Sequence, residues 1–147
     1  MSKYTVKFYS GNYPVRQKAA NADKAICYIE QHFNSVTNKS ADYAHAKIGS
    51  NAGRISRAMA STYANLIAKT FNVPLGFKAT GGVDSGGRGD SNLIYTNMPA
   101  ILLEPLFISN PVQAEIVKSV DGQNKLANAI VETVRHFFPN GGLVAFS

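Results

Sequence analysis

The 147-residue sequence predicts an α/β fold in a single domain spanning residues 1–147, a layered, largely parallel sheet flanked by helices. Three observations carry this. Short apolar runs alternate along the chain with longer segments of helical periodicity. One run, residues 100–103, is apolar without interruption, as in a strand buried on both faces of a parallel sheet. The length is close to the commonest domain size, and 45% hydrophobic with 16% charged residues suits a packed core and argues against a disordered chain.

Residues 4–9 alternate and read as a first strand, which Gly11-Asn12-Tyr13-Pro14 breaks. Residues 15–22 suit a short helix. Residues 25–33, rich in Ile and aromatics, read as a second strand, and residues 43–48 as a third after a polar loop at 34–40. Ser50-Asn51 offers a helix cap. Ile55, Met59, Tyr63, Leu66, Ile67 and Phe71 then recur at helical spacing until Pro74. Residues 80–90 form a glycine-rich loop without the order of a phosphate-binding loop, which reads as a mobile segment bordering a groove. Residues 92–96 suit a strand. Asn110-Pro111 is a helix start, a cap residue followed by a proline whose missing N–H costs nothing there. Leu126, Ile130, Val134, Phe137 and Phe138 mark a last amphipathic helix, with His136 near its carboxyl end, and residues 143–146 one more strand.

Composition narrows the chemistry. Cys27 is the one cysteine, so an internal disulfide and a cysteine-built zinc site are both excluded. It lies five positions before His32 and falls on the opposite strand face, which argues against a Cys–His nucleophilic pair. No apolar run is long enough to cross a bilayer, and the first residues lack a signal peptide's apolar stretch, so synthesis in the cytoplasm is expected. The formal charge of +6 favours anionic partners. Lys and Arg are scattered and no nucleic-acid motif is present, so nucleic-acid binding stands as a third reading, testable by salt-dependent binding to DNA.

In a parallel α/β sheet, ligands sit at the carboxyl ends of strands, here just after Phe33 and just after Leu103. Glu30, His32 and Asn34 share one face of their strand near that end. A Glu and a His on one face can hold a metal, or they can simply be a hydrogen-bonded pair. Glu104 ends the apolar run. Burial disfavours a carboxylate's charged form, which suits a general base and acid working near neutrality; a Glu that pairs with an arginine or caps a loop fits the same position.

Together these segments form a pattern. Arg16, Ala20-Asn21, Ala25 and Ile29 to Ser35, then Met98-Pro99-Ala100 through Leu103-Glu104, Phe107 and Ser109-Asn110, resemble the two signatures of the zinc-dependent N-acetylmuramoyl-L-alanine amidases. The resemblance runs over residues 4–138. It implies a zinc-amidase-like fold and hydrolysis of the amide between N-acetylmuramic acid and L-alanine in peptidoglycan. It further implies that His32 ligates Zn2+, that Glu104 is the catalytic base, and that Asn34 and Asn110 border the substrate. An enzyme of this kind acts at the bacterial cell wall, after phage-type release or another form of export.

The sequence departs from that family at the metal. Family members open with a strand, a Gly-His-Gly-Gly-like turn and a helix bearing a Glu, which supply two further ligands. Here the match begins at the family's second strand, and no His precedes His32. Three resolutions follow. A local site could use Glu30, His32 and His45, with Asp42 as a further candidate. The order could be permuted: residues 142–147 resemble the family's first strand, so that a missing segment or a second chain would complete the metal site, and the domain as given would be incomplete. Or the chain could be a non-catalytic peptidoglycan-binding or regulatory module on the amidase scaffold.

Overall fold

The computed structural model describes residues 3–147. Its elements, in chain order, are β1 (Tyr4–Phe8), α1 (Tyr13–Ala22), β2 (Cys27–Gln31), β3 (His45–Ile48), α2 (Arg54–Phe71), β4 (Val83–Ser85), β5 (Ala100–Glu104), α3 (Pro111–Lys118), α4 (Val120–Phe137) and β6 (Gly142–Phe146). The strands form one sheet in the order β1-β6-β2-β5-β3-β4. Every neighbouring pair is parallel except β3 and β5, so the sheet is largely parallel as expected.

Alternation along the strands sends side chains to two layers. Cys27, Ile29, Ile101, Leu103 and Val144 face α2 and α4, where Met59, Tyr63, Ile67, Leu126 and Val134 complete the larger core. Tyr28, Leu102 and Ala145 face the other way and meet Ala20 of α1 and Leu93. The one cysteine lies buried in the larger layer, away from the polar face.

Several elements start or end where local chemistry dictates. Asn12 caps α1, its Oδ1 accepting from Val15 N at 3.1 Å. The helix expected from Ser50-Asn51 begins only at Arg54. Ser50 and Asn51 turn outward instead, to Asp90 and to the Ile94 carbonyl, and Ile55 in the first turn remains half exposed.

Two expectations are corrected. The glycine-rich segment contains β4, which pairs with β3 at the sheet edge. Residues 92–96 are not a strand: a 3-10 turn at Asp90–Asn92 leads into further turns. The reason is where their backbone groups find partners. Gln17 of α1 donates to Ser91 O and accepts from Tyr95 N, while Asn21 donates to Tyr95 O and accepts from Asn97 N. With β2 already paired to β5, the segment lies across α1 rather than in the sheet.

Among the described residues, no helix is long and apolar enough to cross a membrane.

Candidate functional site

Three adjacent strands bring the predicted residues together. In the β2–β5 ladder Gln31 stands opposite Leu103, and His32 N donates to Leu103 O at 2.9 Å, so His32 comes level with Glu104. In the antiparallel β3–β5 ladder His45 is the direct partner of Glu104. Running opposite to β5, β3 therefore delivers its first residue to the point where β2 and β5 end. His32, Glu104 and His45 line one groove of about 670 Å3, together with Asn34, Lys47 and Arg88. This is the strand-end position expected for a ligand.

Two His–carboxylate pairs flank the groove. His32 Nε2 lies 2.7 Å from Glu30 Oε1. Glu30 is almost fully buried, with its side chain 3% exposed, while His32 is 41% exposed to the groove. Glu30 Oε1 also accepts from Asn92 Nδ2 at 2.7 Å, and the Arg16 guanidinium lies 3.5 Å away. Its Oε2 is buried without a hydrogen-bond partner among the described residues. The Glu30 hydrogen bond is the main reason the His32 pKa is raised above the ordinary imidazole value. Desolvation opposes it, and the charges of Glu30 and Glu104 support it.

In the second pair, His45 Nε2 stands 2.7 Å from Glu104 Oε2. The His45 ring is buried between aromatics, 5.6 Å from the Tyr43 ring and 5.0 Å from that of Phe77. Phe77 adopts a left-handed backbone conformation, with φ of 48°, that turns its ring onto the imidazole. Glu104 keeps one side toward the groove, a position from which a carboxylate can exchange a proton with a bound water.

His32 and His45 thus line one groove with Glu30 buried behind His32, but the three are not brought into one cluster. Each His is already engaged with a different carboxylate, and Asp42 does not line the groove. Among the described residues no group of three His, Cys, Asp or Glu is placed to hold a metal ion.

Asn34 lines the groove, and its Oδ1 accepts from Ser35 N. Asn110 does not: its Oδ1 caps α3 by accepting from Val112 N and Gln113 N, and its Nδ2 donates to Ala41 O. Sequence reading missed Asn92, which it placed on a strand, and Lys47, whose ammonium pairs with Asp84 in the groove wall. The signal for Lys47 was present, because it alternates with His45 on β3 and shares its face. A second hollow, of about 440 Å3 beside the start of α2, has Arg54 as its one ionisable lining group, which leaves the catalytic chemistry with the groove.

Comparison with known proteins supplies the family. A family model described as N-acetylmuramoyl-L-alanine amidase matches residues 4–136. The chain belongs to the N-acetylmuramoyl-L-alanine amidase family. No curated protein sequence matches it. Among solved structures, the catalytic domain of the amidase CwlV from Bacillus (Paenibacillus) polymyxa var. colistinus aligns with a TM-score of 0.72 and 22% identity, over 87% of this chain and 66% of that one. An amidase from Clostridium difficile 630 aligns with a TM-score of 0.73 and 24% identity, over 87% and 66%. The CwlD amidase from Clostridioides difficile, solved in complex with the GerS lipoprotein, aligns with 0.68 and 15%, over 84% and 59%. These likenesses show that this family member has the amidase fold. The chain spans about two thirds of the length of the first two of these structures and less of the third.

Proposed function

We propose that this amidase-family chain binds peptidoglycan in the groove across β2, β5 and β3 and takes part in hydrolysing the amide between N-acetylmuramic acid and L-alanine. The observation that carries the reading is the placement of Glu104 beside His32 and His45 in a groove of ligand size, inside a chain whose family is matched over residues 4–136. In this reading Glu104 takes the proton of the attacking water and returns it to the departing alanine amine. His45, 2.7 Å away, holds the carboxylate in place. Asn34 lines the groove where it can meet the substrate; Asn110, occupied as a cap, keeps the β5–α3 turn in shape instead.

The resemblance implies zinc, with His32 as a ligand. A catalytic zinc takes three protein ligands. The described residues offer His32 and, beside it, Glu30 with its unpartnered buried Oε2, while His45 is engaged with Glu104. Two donors do not make the site. We place the remaining ligands outside residues 3–147, on a second polypeptide or a further segment. CwlD, solved with GerS, is an example of a structural relative in complex with another protein. The purified chain is then expected to hold less than one zinc per molecule by elemental analysis. One full equivalent, lost in His32→Ala, would show instead that the site is self-contained.

The two-donor count also favours a second reading, a peptidoglycan-binding or regulatory module without turnover. Purified sacculi separate the two. Sedimentation of the chain with sacculi and release of new alanine amino termini, falling by about 10²- to 10⁴-fold in Glu104→Gln, supports catalysis. Sedimentation without new termini supports the module. Failure to sediment overturns both.

A further inference from the structure

Among the described residues, the groove wall carries one cation whose charge nothing matches. Lys47 is paired with Asp84, and Arg16, behind the groove, has its charge paired with Glu30. Arg88 lines the groove, is exposed, and makes no ion pair or hydrogen bond among the described residues. The backbone on either side of it is clamped. Before it, Gly86 N donates to Ile48 O at 3.3 Å. After it, Asp90 accepts from Ser50 N at 2.6 Å and from Ser50 Oγ at 3.0 Å. Gly89, with φ of 95°, supplies a left-handed backbone conformation that favours glycine and lies beside the Lys47 and Leu102 side chains. The segment expected to be a mobile border is therefore a tethered arch holding a free guanidinium over the groove.

We infer that Arg88 is a specificity-determining residue that recognises a free carboxylate on the peptide part of the substrate. This rests on the peptidoglycan reading above and deepens it. A guanidinium presents a planar fork that matches a carboxylate through two parallel hydrogen bonds, which an ammonium cannot do. The peptide that leaves with its alanine amine continues into a γ-linked glutamyl residue, whose α-carboxyl is either free or amidated. Arg88 selects the free acid. With Lys47 paired to Asp84, no second unmatched cation stands in the wall among the described residues.

Titration calorimetry with two compounds tests this: N-acetylmuramoyl-L-alanyl-D-glutamate with its γ-carboxyl blocked as a methylamide and its α-carboxyl free, and the same γ-methylamide with its α-carboxyl converted to the carboxamide. The unmodified chain is expected to bind the acid roughly ten- to hundredfold more tightly, the range of a hydrogen bond to a charged group. Arg88→Gln, at an exposed position outside the strand-end machinery, is expected to bind both compounds with the affinity the unmodified chain has for the amide. Equal binding of acid and amide by the unmodified chain, or a preference that survives in Arg88→Gln, overturns the inference and leaves the peptidoglycan reading standing. Binding of neither compound by the unmodified chain removes that reading and the inference with it.

Discussion

At the scale of single residues, Glu30 is the group on which the site turns. It is a buried carboxylate at the end of a strand, stabilised by His32, by Asn92 and by the charge of Arg16. A buried charge left without such partners would be strongly unfavourable, so the three must be understood together. Because the Glu30 hydrogen bond is the largest cause of the raised His32 pKa, Glu30→Gln is expected to lower the His32 titration midpoint, read from its ring-proton chemical shift in the metal-free chain. A midpoint that does not move would show that Glu30 does not hold the proton. The sign for stability follows from the direction. A His whose folded pKa is raised contributes stability that is fully present below its unfolded value of about 6.5. That contribution is lost as pH rises through the folded value, and urea unfolding of Glu30→Gln should show a smaller loss over the same window.

Cys27 shows the opposite situation, burial with no partner. Desolvation pushes its thiol up to about 12. The native thiol is expected to react far more slowly with a disulfide reagent at pH 8 than the urea-unfolded chain does, since only the thiolate attacks. An unfolded cysteine ionises near 8.5, ahead of the folded one, so this group makes stability fall as pH rises above about 8.5. Both residues were legible in part. Strand alternation put Glu30 with His32 and Cys27 on the other face, because that period is local. Asn92 was not legible, because it reaches Glu30 across 62 positions of sequence and nothing near it announces the contact.

At the scale of elements, the signals that read correctly were those whose physics is contained within a few residues. Asn110-Pro111 starts α3 as its cap chemistry requires, and the run before Glu104 is the buried strand β5. The element that did not read was β4, three residues long inside a glycine-rich stretch. It exists because β3 offers it an edge and because left-handed backbone at Gly81 and Gly82 turns the chain into it. Asn110 shows how an element-level role and a site-level role can be told apart. The family resemblance puts it at the substrate, yet its side chain is wholly taken up by Val112 N, Gln113 N and Ala41 O. Asn110→Ala is expected to lower stability by about 1 kcal/mol in urea unfolding, the ordinary value of an N-cap, and to leave muropeptide affinity unchanged. A loss of affinity without a loss of stability would return it to the substrate side.

At the scale of the whole molecule, the fold class was legible and the strand order was not. Alternating strand and helix signals give α/β layers, but which strand lies beside which depends on contacts between distant segments. The clearest case is β6, last in sequence, which inserts between β1 and β2 and is the one strand with which β1 pairs. Two consecutive glycines make the insertion possible. Gly141, with φ of 84°, passes so close to the Lys3 carbonyl that a Cβ would collide with it, and Gly142 N donates to Lys3 O at 2.9 Å. Gly141→Ala therefore carries two penalties, the left-handed backbone and the collision. Gly87→Ala carries the first alone, since φ there is 64° and nothing lies within 4 Å of the added carbon. The left-handed penalty is about 1–2 kcal/mol. Urea unfolding should show that loss for Gly87→Ala and a clearly larger one for Gly141→Ala. The excess measures the cost of spreading β1 from β6, and with it the docking of the edge strand onto the sheet. Equal losses would mean that the β1–β6 junction gives way without resistance, and that β1 contributes little to holding the sheet whose opposite half, β2, β5 and β3, carries the site.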